Sequence, residues 1–510
     1  MRVNLFAFAV LAVAGLQVSA FAQTNQWQPS PTIEKVGYFQ DDETDVAALQ
    51  KTIEKLELRL REVEDDVEER LEAVAEADSG DAAKQADSFE KRMAELEEGF
   101  EENSEAITEV EDTLPSLLFH GHKNPKMQFF GRIHLDYWAF PNFDDGLIPL
   151  EAGGNPQDRF NFRRLRIGIK GDLNDRMFYK YEGEFAGGNN PSYRDAYIGF
   201  KDVPRLNTVI IGNHKRPYGL DHLNSSRHNV TIERPFIVEA FNQDSRRLGI
   251  SSNGVSDDQS ANWRFGVWNQ VLTQTRSGYI GDDYQLELAG RYAKTYWYDE
   301  SSGGRGWGHV AISGSIGDPG FDRDGRSGAD YRTRPEARSD SRWLDTGIIS
   351  NAQTNYLIGL ESAWNVGSLA YTGEYMRVLV DRDAGSPDVD LDGYYGQLSY
   401  FLTGEHRAWN RKTGTLARIK PLENFFMVKD CDGNCQRGWG AWEVYGRYSK
   451  ANLTDQDIIG GDGESFTAGV NWYWNAYARM QFNYINGTID RDPIGSGDYE
   501  IFGARMMVDF

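Results

Sequence analysis

The chain has 510 residues, a net charge of −24 and a mean hydropathy of −0.59, with 13% aromatic residues and 53 glycines. After the first 22 residues, no stretch approaches the roughly 18 consecutive apolar residues that a membrane-spanning helix needs, which excludes a helical membrane protein. The acidity is uneven, because residues 1–119 hold 10 basic and 28 acidic side chains. The net charge therefore says little about what the rest of the chain binds.

Residues 1–22 have the pattern of an export signal. Arg2 is followed by the apolar segment VNLFAFAVLAVAGL and by the small-residue site Ala20-Phe21-Ala22. This arrangement is typical of a signal peptide that is cleaved after Ala22. An uncleaved membrane anchor is the alternative, and the short apolar segment argues against it. The mature chain is therefore predicted to be exported.

Residues 43–114 carry a helical pattern, and residues 23–42 are predicted to be a linker before it. Apolar residues recur at steps of three and four from Val46 to Val67, and again from Phe89 to Leu114, with Asp and Glu filling most positions between. A heptad seam of this kind predicts an α-helical coiled coil, although a lone amphipathic helix could give part of it. Asn103 falls on the seam, where a buried amide usually fixes the register or the number of strands.

From about residue 120 to the C-terminus the period changes to two. In FGRIHLDYW, for example, Ile133 and Tyr137 alternate with Arg132 and Asp136. About sixteen such segments follow, each close to the roughly ten residues of a membrane strand, with turns rich in Gly, Asp, Asn and Pro between them. The pattern predicts an all-β transmembrane barrel of about sixteen antiparallel strands over residues 120–510.

Two features favour a membrane barrel over a soluble sandwich or propeller, in which the apolar face would point into a core. The connections alternate between short ones, such as LNDR, and long ones, such as DPGFDRDGRSGADYRTRPEARSDSRWL, as in barrels with short periplasmic turns and long external loops. Trp and Tyr cluster near the segment ends, as in Tyr296-Trp297-Tyr298, which suits the membrane interfaces. Together with the export signal, these features predict an outer-membrane location and a periplasmic coiled coil.

The last segment, EIFGARMMVDF, has two different faces. Phe502, Met506 and Phe510 share the face that is predicted to meet lipid, and Arg505 and Asp509 lie on the face that is predicted to line a watery lumen. A strand that ends on an aromatic C-terminal residue resembles the signal read by the machinery that inserts outer-membrane barrels. Outer-membrane lipid and this machinery are therefore predicted partners.

Several segments resemble the phosphate-selective porin O and P family. Together they bracket nearly all of residues 125–510, and YFLTGE and GWGAWEV within them are quite specific. The resemblance implies a homotrimer of sixteen-stranded barrels, each an anion-preferring pore narrowed by an inward-folded third loop, here about residues 214–246. The main segments are FNFRRLRIGIKGDL (160–173), YRDAYIGF (193–200), GNHKRPYGLDHLNSSRHNVTIERP (212–235), YYGQLSYFLTGEHRAW (394–409) and GWGAWEVYGRYS (438–449).

A constriction for oxyanions is predicted to carry guanidinium and hydroxyl groups, because charge-assisted hydrogen bonds replace the water that the ion loses. By parity Arg164 and Arg166 face the lumen, with Arg163 at the start of their strand, and the resemblance implies that Asp195 supports the site. The alternative is that these arginines only pair with acids across the pore, such as Asp136, Glu182, Glu184 and Glu374. The candidate residues are Arg163, Arg164, Arg166, Asp195, His222, Ser225, Ser226, Arg227 and Arg234.

His222 departs from the family pattern. The family's phosphate-binding members carry a lysine three residues before the paired serines, where this chain has a histidine. Histidine is largely neutral near pH 7 unless it is held charged. The sequence therefore predicts weak phosphate binding that strengthens toward about pH 5.5, as the imidazole gains its charge.

Two further groups lie in predicted loops. The basic residues of the long loop could attract anions at the mouth, or could simply be solvent-exposed; they are Arg332, Arg334, Arg338 and Arg342. Cys431 and Cys435, in KDCDGNCQ, are predicted to form a disulfide, because two close cysteines in an exported protein are most often paired. A calcium loop is the alternative, but the distal Glu ligand is missing at the required spacing.

No catalytic triad, metal-ligand set or phosphate-binding loop appears with convincing spacing, so the sequence predicts no enzyme, no cofactor, no metal and no nucleic-acid partner. We predict an outer-membrane porin for the diffusion of small hydrophilic solutes, with anions such as phosphate or polyphosphate as the expected solutes. The alternative is a structural barrel that anchors the coiled coil between the outer membrane and the cell wall.

Overall fold

The computed structural model describes residues 125–187, 191–242, 246–273, 280, 284–319, 328–383, 385–429 and 435–510. These residues fall within one compact unit, Leu118–Phe510. The predicted signal peptide, linker and coiled coil lie outside the described residues. Cys431 also lies outside them, and with it the predicted disulfide to Cys435. No helix among the described residues is long and apolar enough to cross a membrane.

Sixteen antiparallel strands of the described chain form a closed barrel, in which each strand pairs with its neighbours in sequence. The circle closes where the last strand pairs with the first, for example Arg505 with Asp136. This confirms the predicted all-β barrel. The strands are β1 (Gln128–Phe143), β2 (Arg159–Asp172), β3 (Met177–Glu184), β4 (Ser192–Val203), β5 (Asn207–Lys215), β6 (Arg246–Val255), β7 (Ala261–Asn269), β8 (Leu286–Tyr298), β9 (Gly306–Gly317), β10 (Ala352–Val366), β11 (Leu369–Arg382), β12 (Val389–Phe401), β13 (Ala441–Asp455), β14 (Ile458–Tyr473), β15 (Ala478–Arg491) and β16 (Gly495–Asp509).

The two faces of the last strand are the ones predicted from its alternation. In β16 the side chains of Arg505 and Asp509 are buried, whereas those of Phe502 and Met506 are exposed. Successive residues of a strand point to opposite sides of the sheet, so the buried set lines the lumen and the exposed set faces outward. The same alternation runs along β1, where Arg132, His134 and Asp136 are buried inside the barrel.

Met506 lies in the middle of the outward apolar series of β16, which begins at Phe502, just after Glu500, and ends at Phe510. Met506→Arg should therefore lower the free energy of unfolding by about 2–4 kcal/mol, because the charge would enter the centre of the apolar band. Val508→Arg lies nearer the band's edge and should cost about 1 kcal/mol or less. Denaturant titration in lipid vesicles measures both, and an equal or reversed ranking would contradict this position of the band.

The connections differ at the two ends of the barrel. At the end where β1 begins and β16 finishes, most turns are short, for example residues 173–176, 204–206 and 474–477. In outer-membrane barrels this short-turn end faces the periplasm. The predicted alternation of short and long connections has one large exception there, because residues 402–440 join β12 to β13.

The described parts of three connections extend into the lumen. We call residues 216–245 the third loop, 318–351 the fifth loop and 402–440 the lower connection. The third loop contains helices α1 (Leu220–Leu223) and α2 (Phe236–Phe241). Short strand pairs stabilise the other two: Arg332–Thr333 with Leu344–Asp345 in the fifth loop, and Trp409–Asn410 with Thr415–Leu416 and Phe426–Lys429 with Cys435–Gly438 in the lower connection.

The third loop is packed between the fifth loop and the far wall of the barrel. Phe236 and Ile237 of α2 are fully buried, in a cluster that includes Tyr331 of the fifth loop and Val378 and Leu391 of the wall. Removing this apolar surface from water stabilises the inward position of both loops. Part of the barrel interior is therefore a protein core rather than open channel.

Candidate pore constriction

The third loop enters the lumen from the end of β5 and is held there by polar contacts. Lys215 Nζ donates to the backbone carbonyls of His222, Leu223 and Asn224 at 2.6, 3.0 and 3.0 Å. On the far wall, the Glu374 carboxylate accepts the backbone N–H groups of Leu220 and Asp221, both at 2.7 Å. Glu374, one of the acids expected to pair with an arginine, thus holds the start of α1 instead.

Two acids of the near wall collect the cations of β1, β2, β3 and β6. Asp195 accepts from both Lys180 and Arg246. Glu182 accepts from Arg132 at 2.7 Å, and Arg166 Nη1 lies 3.7 Å from the same carboxylate. The side chain of Glu182 is fully buried, so these ion pairs are largely shielded from water.

Arg166 also pairs with a second acid, since its Nε donates to Glu184 at 2.6 Å. Both partners of Arg166 are therefore acids of the neighbouring strand β3, on the same wall, whereas the alternative from the sequence placed such pairs across the pore. Asp195 and Arg166 lie in this cluster of wall charges, and Arg132 connects the cluster to Ser226 of the third loop.

The paired serines of the third loop lie beside this cluster, but they differ in their contacts. Ser226 is buried, and its hydroxyl accepts from Arg132 Nη1 at 2.9 Å. Ser225 is half-buried, and its hydroxyl accepts the backbone N–H of Arg227 at 3.4 Å. The Arg227 side chain turns toward the barrel seam, where its Nε lies 2.8 Å from Asp509.

Arg163 lies within β2 rather than at its start, which corrects the predicted position. The register of β1 and β2 shifts between His134 and Leu135, so that Arg163 has no partner on β1 and forms a bulge. The bulge turns Arg163 and its neighbour Arg164 toward the same side. Alternation alone would place only one of the two inside the lumen.

Glu233, in the third loop, connects the arginines of β2 and β16. It accepts from Arg163 Nε at 2.7 Å and from Arg505 Nη2 at 2.8 Å. Although burial raises the pKa of Glu233, these two guanidinium groups hold it well below its usual range. Glu233 therefore remains ionised and neutralises part of the arginine cluster.

His222 is buried inside the third loop, and its ring has other hydrogen-bond partners than the hydroxyl groups of Ser225 and Ser226. Its Nε2 lies 3.2 Å from the carbonyl oxygen of Arg216, and its ring stacks on Tyr218 with centroids 5.9 Å apart. Burial and the nearby charges of Lys215 and Arg234 hold the pKa of His222 well below its usual range. This environment opposes the predicted gain of charge near pH 5.5.

Arg234 contacts the loop itself. Its Nε lies 3.0 Å from a carboxylate oxygen of Asp221, and its Nη2 donates to the carbonyl of Asn224 at 3.1 Å. Its guanidinium group is thus occupied in bracing α1.

The arginines of the fifth loop are not simply solvent-exposed. Arg334 Nη1 donates to Glu239 of α2 at 2.7 Å, and Arg342 Nε lies 3.4 Å from the same acid. Arg338 is half-buried beside Arg163, whose charge, with burial, lowers the pKa of Arg338 to about 9, so that it stays charged at neutral pH. The fifth loop thus brings positive charge into the lumen.

Several lumen arginines have no carboxylate at ion-pair distance among the described residues, including Arg164, Arg264 and Arg338. Arg479 of β15 shares this property but donates to the Tyr473 hydroxyl and the Asn229 carbonyl instead. Arg164 contacts only the ring of His134, with its Nη1 3.2 Å from Nδ1. Arg264 lies on the inward face of β7 and is half-buried, and no carboxylate lies at ion-pair distance from it among the described residues. Unpaired guanidinium groups of this kind can bind a passing anion without first breaking an ion pair.

Metal binding finds no support among the residues that the structure describes, where no group of three or more His, Cys, Asp or Glu side chains could hold an ion.

The comparisons with known proteins agree with this architecture. A family model described as phosphate-selective porin O and P matches residues 128–510. The chain belongs to this family. The porin is therefore an outer-membrane channel protein. It is 27% identical over 403 residues to an uncharacterized protein of Caulobacter vibrioides, covering 74% of this chain and 73% of that one.

The porin also matches Porin O of Pseudomonas aeruginosa, with 25% identity over 402 residues, 72% of this chain and 84% of that one. Among solved structures, it is similar to an anion-selective porin from Comamonas acidovorans, with 14% identity and a TM-score of 0.46 over 76% of this chain and 99% of that one. The outer-membrane channel DcaP of Acinetobacter baumannii gives 11% identity and a TM-score of 0.46 over 76% and 97%.

Sequence reasoning missed several residues of this region. Arg132 and Lys180 lie on inward positions of β1 and β3, so their parity could have identified them. Glu233 lies in a loop, where no alternation of side chains shows which way a residue points. Arg264 lies on a short strand, in a segment that the resemblance did not cover.

Proposed function

We propose that the porin lets small hydrophilic anions diffuse across the outer membrane. The observation that carries this proposal is the imbalance of unpaired charge in the lumen. Arg164, Arg264 and Arg338 have no carboxylate partner among the described residues, whereas Asp136, Asp195 and Glu182 each bind at least one cation. Glu374 binds backbone N–H groups of the third loop instead of a cation. A narrow, low-dielectric passage focuses such a fixed charge and raises the local concentration of ions of opposite sign.

The reversal potential in a KCl gradient tests this proposal on the purified porin in planar bilayers. We expect anion preference, and we expect the double variant Arg164→Ala/Arg338→Ala to lower chloride conductance at least about two-fold. Arg377→Ala is the matched control, because Arg377 lies on the outward face of β11, paired with Asp390. Cation preference of the unmodified porin would overturn the proposal. If Arg377→Ala lowered the chloride conductance as much as the double variant, the lumen charges would not be what sets the anion preference.

Phosphate is a proposed solute, and its pH dependence follows from His222. Since His222 stays neutral, block of chloride current by phosphate should not strengthen between about pH 7 and about pH 5.5, and should weaken as phosphate loses charge. The comparison is made with His222→Gln. A block that strengthens in the unmodified porin, but not in this variant, would show that His222 does become charged.

The assembly of the porin is a further part of the proposal. We propose a homotrimer whose exported chains carry a periplasmic coiled coil over residues 43–114, after a signal peptide cleaved at Ala22. The family resemblance supports three barrels, and the heptad seam with Asn103 supports self-association of the N-terminal segment. Insertion by the barrel-assembly machinery and a disulfide between Cys431 and Cys435 complete the proposal.

A further inference from the structure

The lower connection leaves the lumen after residue 419 and exposes large apolar side chains at the short-turn end. Leu422 is 73% exposed, Phe426 is 51% exposed and Trp439 is 74% exposed. Water contact of so much apolar surface is unfavourable, and contiguous apolar patches on protein surfaces usually meet a partner or a membrane.

These side chains adjoin a cluster of aromatic rings at the ends of β13 and β14. Phe425 packs edge-on against Trp472, with ring centroids 4.6 Å apart, and Trp472 stacks on Trp442 at 5.0 Å. Trp474 adjoins both Phe425 and Trp472, at 5.9 and 5.5 Å. We use the name aromatic hairpin for these four rings together with three exposed side chains. Its members are Leu422, Phe425, Phe426, Trp439, Trp442, Trp472 and Trp474.

Backbone contacts fix the aromatic hairpin against the barrel. The indole N–H groups of Trp442 and Trp472 both donate to the carbonyl of Trp439, at 3.1 and 2.9 Å. Gly440 has φ +69°, and a Cβ there would lie 2.2 Å from the carbonyl oxygen of Tyr473, so only glycine permits this close approach. The chain is thus held against β14 at the point where it enters β13.

Phe426 shows that the exposure is built into the local structure. Its φ is +69°, a left-handed conformation that is uncommon and unfavourable for a bulky residue. The strained backbone does not bury the ring, which stays half exposed. The backbone of Phe426 adopts this unfavourable conformation and still leaves the ring exposed to the outside. We infer that an apolar environment contacts the ring there.

The surface is continuous with the outward face of the barrel. Trp442 and Trp472 pair across β13 and β14 on the outward side, in line with Val444 and Val470. In an outer-membrane barrel that face meets lipid, and the short-turn end lies at the inner leaflet. The exposed Lys420 lies at the start of the hairpin, where its ammonium group could reach lipid phosphates.

We propose that the aromatic hairpin is a membrane-interface anchor, inserted among the lipids of the inner leaflet beside β13 and β14. Trp and Phe suit this position, because their rings tolerate the boundary between headgroups and acyl chains. The lower connection then has two roles. Its first half occupies the lumen, and its second half extends the lipid-facing surface beyond the barrel wall.

Quenching of tryptophan fluorescence tests the anchor in the full-length porin, reconstituted in vesicles of phosphatidylcholine and phosphatidylglycerol. The contribution of Trp439 is the difference between the unmodified porin and Trp439→Phe, which keeps an aromatic ring. We expect this difference signal to be quenched by lipids with a nitroxide near the headgroup end of the acyl chain, less by a nitroxide near the chain end, and not by aqueous iodide.

Trp307→Phe provides the control, because Trp307 is fully buried in the lumen, stacked on Trp409, and should respond to neither quencher. Quenching of Trp439 by iodide alone would show a solvent-exposed hairpin and overturn the anchor. Quenching by neither agent would show that protein covers it, either a second copy or the N-terminal segment, and would overturn it as well. Circular dichroism of each variant confirms that the barrel has formed.

Discussion

Asp136→Asn should lower the free energy of unfolding of the porin in lipid vesicles by about 3 kcal/mol, because it removes one partner of a buried ion pair. Arg505 of β16 binds Asp136 of β1 through two hydrogen bonds of 2.6 Å, and the two residues are 2% and 0% exposed. The pair joins the first strand to the last. Glu233 still contacts Arg505 in the variant, so the loss falls at the lower end of the range for such pairs.

Glu500→Gln is the control for this experiment. Glu500 also joins β16 to β1, where it accepts from Asn142 at 2.6 Å, but it lies on the outward, more exposed side. Its replacement should change the free energy of unfolding little. If both variants lost the same stability, burial would not explain the effect of Asp136.

Glu336→Gln should loosen the third loop as well as lower the free energy of unfolding, by about 3–5 kcal/mol. Glu336, in the fifth loop, accepts the backbone N–H of Phe236 at 2.9 Å and Arg447 Nη2 at 2.7 Å. Arg447 is 1% exposed, and the variant would leave its guanidinium group buried without an anion. We expect greater current noise in single-channel recordings, since the third loop would lose one of its ties to the wall, although Glu374 still binds α1.

Glu239→Gln is the matched control, because Glu239 also joins the two loops, through Arg334. Its side chain is 32% exposed, so that its loss should cost up to about 1 kcal/mol. If the current noise of Glu336→Gln were unchanged, or if the two variants lowered the free energy of unfolding equally, Glu336 would not be what holds the third loop in place.

The barrel could be predicted from the sequence because the alternation of apolar and polar residues along a strand shows which side chains point outward and which point into the lumen. A strand exposes successive residues to opposite sides, so the pattern around Met506 and Arg505 already separates lipid from lumen. The same rule fails at Arg163, where one extra residue reverses the parity. A bulge leaves no reliable mark in a single sequence, so the neighbouring positions of Arg163 and Arg164 inside the lumen could not be deduced.

The constriction could be predicted only in part, because loops have no comparable period. The resemblance implied Ser226 and Asp195 as site residues, and that role stays a prediction. The position of His222 depends on its packing against Tyr218, which the spacing of motifs in the sequence does not show. The arginines of the fifth loop gave no sign that their segment folds inward. Their position follows from contacts such as Arg334 with Glu239, which join residues about a hundred positions apart along the chain.

The seam between β1 and β16 sets an order of events for the porin. Glu233 and Arg227 of the third loop bind Arg505 and Asp509, which belong to the last strand. During folding, the constriction cannot acquire these contacts until the C-terminal strand has arrived. The third loop therefore reaches its final position at the seam only when the barrel closes, and in a barrel that has not yet closed it would lack these two contacts.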